Sequence, residues 1–174
     1  MRGERPPRRP RTWHHFHLGA LARRGRSRRA AFRFLALGGI GDGGGLARAL
    51  GLGAQGVSLG TRFIASDEAS AHPRYKQRIV ESGPEDLFYG ELFTVFWPPP
   101  APQRVIRNKV FEEWDAAGRP PEGERPGEGT PIGRRLVGDG EMADWPRYAT
   151  GVPTPEFDGD IDYAPLWGRR NRSP

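Results

Sequence analysis

Two short apolar runs, both before residue 60 of the chain, each open directly onto glycine. The first, Phe34 to Leu37, leads into Gly38-Gly39-Ile40-Gly41-Asp42-Gly43-Gly44-Gly45; the second, Ala54 to Leu59, leads into Gly60-Thr61. Between them Leu46, Ala47, Ala49 and Leu50 give the apolar positions of a short helix, which Gly51 and Gly53 end. The pattern is strand, glycine loop, helix, strand, glycine loop. A helix crossover of this kind joins parallel strands and is right-handed within one sheet. Glycines let backbone N–H groups approach an anion closely, and a helix N-terminus adds partial positive charge. A glycine-rich loop alone also reads as a flexible linker. Two such loops, about 20 residues apart after successive strands, read better as the phosphate cradle of a (β/α)8 barrel.

Length sets the first constraint on that reading. A complete barrel takes about 250 residues, and this chain has 174. Residues 1–33 hold eleven arginines and one glutamate, a net +10, so the chain's overall +6 leaves the remainder at −4. This segment is expected to be a disordered basic tail. Its arginines would attract nucleic acid, but no aromatic platform or recognised binding module accompanies them, so nucleic acid is not an expected partner. His14, His15 and His17 have no acidic or cysteine neighbour, and no metal site is expected. The lack of cysteine excludes disulfides, thiolate metal sites and a cysteine nucleophile. No apolar run approaches the ~20 residues of a membrane helix, and no apolar stretch of secretory type follows the basic start. A cytoplasmic location is the expectation.

Downstream, Asp67 is the expected N-cap of a helix carrying Tyr75, Ile79 and Val80 on one face, with Pro73 either kinking it or marking its true first turn. Ser82-Gly83-Pro84 closes it. The aromatic-rich stretch 87–97 reads as strand or irregular packing, and 105–114 as a short strand merging into a helix. Residues 118–160, rich in proline and glycine, are expected to wrap the surface, and the end from Trp167 shows no packing pattern.

The run Gly-Gly-Ile-Gly-Asp-Gly, followed by Leu-Gly-Ala-Gln-Gly-Val-Ser-Leu-Gly-Thr-Arg-Phe, resembles the nitronate monooxygenases, formerly called 2-nitropropane dioxygenases. The helix segment 67–77 and Arg104-Val-Ile-Arg-Asn108 resemble later parts of the same family, in the same order. The resemblance covers residues 34–165. It implies an FMN-dependent (β/α)8 oxidoreductase that oxidises alkyl nitronates with O2. Carried over, Gly39 would contact the FMN phosphate from the first loop, and Ser58, Leu59, Gly60 and Thr61 from the second. Asp42 would shape the turn, while Arg104, Arg107 and Asn108 would tie the extension to the barrel. Arg62 reads equally as a surface charge, and Glu112, Glu113 and Asp115 as a solvated helix face.

The family's catalytic histidine lies in a Gly-Gly-His loop earlier in the barrel, and no such loop occurs here. No catalytic residue is therefore assigned, and His72 reads as a surface residue. The expected fold is α/β: a C-terminal fragment of a (β/α)8 TIM barrel, its last two βα units plus an extension. The expected segments are a tail at 1–33, barrel units and closing segment at 34–117, and the extension at 118–174. Such a fragment is not expected to turn over alone, and two parallel strands with open edges should make it marginal and aggregation-prone. The loss of patterning at both ends leads to the expectation that residues 1–33 are an out-of-frame translation or a miscalled start, and residues 169–174 another frame break. Two alternatives stand beside this reading: a fragment of a flavin-dependent enoyl-acyl-carrier-protein reductase, and a non-catalytic phosphate- or FMN-binding module. Oligomeric state is left open.

Overall fold

The computed structural model describes residues 34–168. The expected basic tail, with its three histidines, and the last six residues lie outside them. Strand β1 (Leu35–Leu37) is followed by helix α1 (Gly43–Gly51) and strand β2 (Gly56–Ser58), and the two strands pair in parallel. The crossover unit expected from the glycine spacing is therefore present. Ala36, Ile40, Ala49 and Ala54 are its buried centre, with Phe34, Val57 and Leu59 packed around them. Small residues face each other here, so α1 lies close on the sheet.

A four-residue helix, α2 (Thr61–Ile64), leads toward helix α3 (Pro73–Glu81). Asp67 does not cap α3. Its carbonyl accepts from Lys76 Nζ at 3.1 Å, and the cap is His72, whose ring Nδ1 accepts the Arg74 N–H at 3.2 Å. Pro73 takes the first helical position, where its missing N–H costs nothing. Strands β3 (Leu87–Gly90) and β4 (Gln103–Ile106) form an antiparallel pair, and helix α4 (Lys109–Ala116) follows. Asn108 ties this region together. Its Oδ1 accepts from Phe111 N at 3.3 Å, and its Nδ2 donates to the Ala164 carbonyl at 2.9 Å. Gly168 N likewise donates to the Arg104 carbonyl, and Arg107 N to that of Asp86. Asn108 and the Arg104 main chain thus link to the extension, whereas Arg107 bonds within residues 34–117.

Residues 118–160 do more than wrap the surface. They carry strands β5 (Pro131–Leu136), β6 (Met142–Pro146) and β7 (Asp158–Gly159), an antiparallel sheet ordered β6-β5-β7. Gly133 makes the sheet possible, because a Cβ there would stand 2.4 Å from the Asp158 carbonyl oxygen on β7. Tyr148 joins Leu92, Phe93, Val105, Val110 and Phe111 in one core cluster, and Leu166 joins Ala71, Tyr75 and Ile106 in another. Trp167 packs as well: its carbonyl accepts the buried Tyr75 hydroxyl at 2.8 Å, and its indole N–H donates to Gln103. Burial pushes the Tyr75 hydroxyl far above its ordinary value. Among the described residues, no helix is long and apolar enough to cross a membrane.

Candidate phosphate-binding site

The parallel register decides where the two glycine loops lie. Leu35 pairs with Gly56, Ala36 with Val57 and Leu37 with Ser58. Gly38 and Gly39 therefore leave the sheet at the end where Leu59, Gly60 and Thr61 leave it. This is the carboxyl end of both strands, the end at which parallel α/β sheets bind ligands.

Each loop has the backbone its glycines permit. Gly38 and Gly39 have φ of 90° and 72°, a left-handed pair that turns the chain sharply after β1. Gly39 is exposed at this turn. Asp42 is extended and caps α1, its Oδ1 accepting the Gly45 N–H at 2.6 Å. The carboxylate thus shapes the turn, as the sequence reading expects. In the second loop Gly60 caps α2 without a side chain, and its carbonyl accepts from Phe63 and Ile64. The first amides of α2 have no acceptor within the helix, which is the general state of a helix start. A Cβ on Gly60 would meet nothing within 4 Å, so the space above that backbone is open. Leu59 packs its side chain on the core of the crossover unit and offers the site only main chain. Ser58 is exposed and Thr61 half-buried beside it. The register brings the five residues selected from the sequence to one sheet end, and their glycine backbones and hydroxyls suit a phosphate group.

The remaining sequence candidates lie elsewhere. His72 is spent on capping α3; burial, then the charge of Arg74, holds its ring below the ordinary histidine value. Glu113, expected on a solvated helix face, instead accepts from the Tyr163 hydroxyl and from Arg147, each at 2.5 Å. Those hydrogen bonds, the Tyr163 one foremost, hold its carboxyl below the usual glutamate range. No group of three or more histidine, aspartate or glutamate side chains among the described residues is placed to hold a metal ion. One residue near the loops escaped the sequence reading. Arg48 folds its guanidinium back toward Gly44, a direction set by how helical side chains lean toward the N-terminus.

Residues 31–125 match the family model for nitronate monooxygenase. Nitronate monooxygenase npaC of Metarhizium robertsii is 38% identical over 89 residues, which make up 47% of this chain and 25% of that protein. A probable nitronate monooxygenase of Bacillus subtilis is 43% identical over 79 residues, 45% of this chain and 21% of that one. Among solved structures, FabK from Thermotoga maritima aligns with 58% of this chain and 32% of its own at 32% identity, with a TM-score of 0.45. The chain spans a quarter or less of the length of the two curated relatives.

Proposed function

The chain belongs to the nitronate monooxygenase family, and from that premise we propose that it holds FMN by the phosphate, as part of a (β/α)8 oxidoreductase acting on alkyl nitronates with O2. The observation that carries this reading is the β1–β2 register, which gathers both glycine loops at one end of a parallel sheet. Main-chain N–H groups around Gly39, and those of Leu59 and Gly60, would face the phosphate oxygens. The hydroxyls of Ser58 and Thr61 would add hydrogen bonds from the second loop. FMN, when bound, supplies the electron acceptor for substrate oxidation and passes the electrons to O2. The described residues supply the seat and its orientation. Among them the one histidine, His72, directs its Nδ1 lone pair to an amide N–H of its own helix. A base for the nitroalkane α-proton is therefore not assigned in this chain.

Titration of the full chain with FMN and with riboflavin, which lacks the phosphate, tests the reading. Binding through the phosphate makes FMN the tighter ligand by about tenfold or more, the value of a few charge-assisted hydrogen bonds. Equal affinities, or no flavin binding, would sink it. With FMN bound, O2 uptake on adding an alkyl nitronate is expected to stay at the level of free FMN. Uptake well above that level would overturn the view that this chain binds without turning over.

A further inference from the structure

Strand β5 carries two adjacent arginines, which a strand directs to opposite faces. Their surroundings differ. Arg134 pairs with Asp144 at 3.8 Å and donates to the Met142 carbonyl at 2.8 Å. Arg135 is half-buried and makes no ion pair with any described side chain. Its guanidinium instead lies 4.2 Å from the centre of the Trp145 ring on β6. Stacking on an indole eases the charge of a guanidinium but provides no acceptor for the N–H groups along its edge.

Gly151 brings main chain against this stacked pair. A Cβ there would stand 2.6 Å from Arg135 Nη1 and 3.0 Å from Trp145 Cζ2, and the glycine has a φ of 112°. An open depression of about 180 Å³ lies at this point, lined by Arg135, Trp145 and Thr154 together with the apolar Val152, Pro153 and Phe157. Sites for drug-sized molecules start at about 300 Å³, so this one suits a single small group and is too small for a flavin. Phe96 packs against Trp145 with 5.7 Å between ring centres. It has a φ of 70°, a region unfavourable to a bulky residue, yet its side chain stays 69% exposed. The turn is held by the Trp97 N–H on the Thr94 carbonyl and by the pairing of Val95 with Ala149. Burial of the ring does not offset that strain, and strain kept at an exposed aromatic is a mark of a binding surface.

We propose that Arg135, Trp145 and Thr154 form a binding site for a small aliphatic carboxylate. The guanidinium edge offers two parallel N–H donors to the carboxylate oxygens, and the Thr154 hydroxyl is a further donor. The alkyl part lies on Val152 and Pro153. The site stands beyond residues 31–125, which the family model matches, and does not depend on the phosphate reading.

The probe is butyrate, titrated into the full chain carrying fluorotryptophan, with butyramide as the uncharged control and chloride at matched ionic strength. Fluorine NMR follows the Trp145 resonance, assigned by its loss in Trp145→Phe. Butyrate is expected to give a saturable shift with a Kd of about 1–10 mM, and butyramide to bind about tenfold more weakly or less. Arg135→Gln should abolish the butyrate shift. Arg135→Lys, which keeps the charge without the paired donors, should weaken binding about fivefold. No saturable shift with butyrate, an equal response to butyramide or chloride, or an unchanged Kd in Arg135→Gln would overturn the proposal. If a lowered melting temperature shows Arg135→Gln to be unfolded, the butyrate-to-butyramide ratio in the unsubstituted chain and in Arg135→Lys decides, and a ratio near one in the unsubstituted chain sinks it.

Discussion

Gly39, in the proposed phosphate seat, acts through its backbone rather than a side chain. Its φ of 72° suits glycine, and a branched residue held there costs about 1–2 kcal/mol. Gly53, at φ 92°, ends α1 at the far end of the crossover unit and carries a similar backbone demand. The pair separates a binding role from a folding one. Gly39→Val and Gly53→Val are both expected to lower stability by about 1–2 kcal/mol in a denaturant titration. Only Gly39→Val is expected to reduce FMN affinity, through the clash of its side chain with the approaching phosphate. Matched loss of FMN binding in both variants would mean that Gly39 acts through stability alone. At this scale the sequence was readable, because a glycine pair after an apolar run constrains the backbone within a few residues. Arg48 was not, because the direction of its side chain depends on the helix that carries it and on the empty space at Gly44.

The elements divide by how local their causes are. The β1-α1-β2 unit was legible because its apolar runs, cap and end glycines are all close in sequence. The β5-β6-β7 sheet was not, since 131–136 lacks strand alternation and Gly133 gains its meaning from Asp158, far along the chain. The cap of α3 is non-local for a related reason: Asp67 fits the local rule, but Pro73 fixes the first turn and passes the cap to His72. Long-range side-chain contacts then hold the extension in place. The buried guanidinium of Arg125 reaches Glu128, the Leu92 carbonyl and Thr94 Oγ1, and lies 4.4 Å above the Tyr148 ring. The Arg125 hydrogen bond holds the Glu128 carboxyl below its ordinary 4.5, and Tyr163 foremost does the same for Glu113. A carboxyl whose folded pKa lies below its unfolded value contributes stability above the unfolded pKa and loses it as pH falls through the folded one. Acid should therefore loosen the extension below pH 4.5, before the crossover unit, whose buried centre is apolar. Melting temperature followed from pH 6 to about pH 3 checks this. The drop should be shallower in Glu128→Gln than in the unsubstituted chain, and identical slopes would refute the assignment.

At the scale of the whole molecule, the parallel pair is the part least provided for. Parallel sheets are ordinarily covered on both faces. Here Ala36, 3% exposed, turns toward α1, while Leu35 and Leu37 on the opposite face are 61% and 56% exposed. Among the described residues β1 and β2 pair only with each other, so each also keeps an open edge. In the curated relatives the matched region is a quarter or less of the protein, so those chains have ample further sequence with which to cover such a face. An uncovered leucine face beside open strand edges drives association. Light scattering of the full chain is expected to show an average mass that rises with protein concentration. Leu35→Ser with Leu37→Ser should flatten that rise and change melting by little, because exposed side chains contribute within about 0.5 kcal/mol of folding stability each. FMN affinity should be retained, since the two leucines precede the glycine loop and point away from α1. A chain that stays monomeric throughout would show that this face needs no cover. Association that persists in the double variant would move its cause to the strand edges, where a proline placed in β1 becomes the discriminating change.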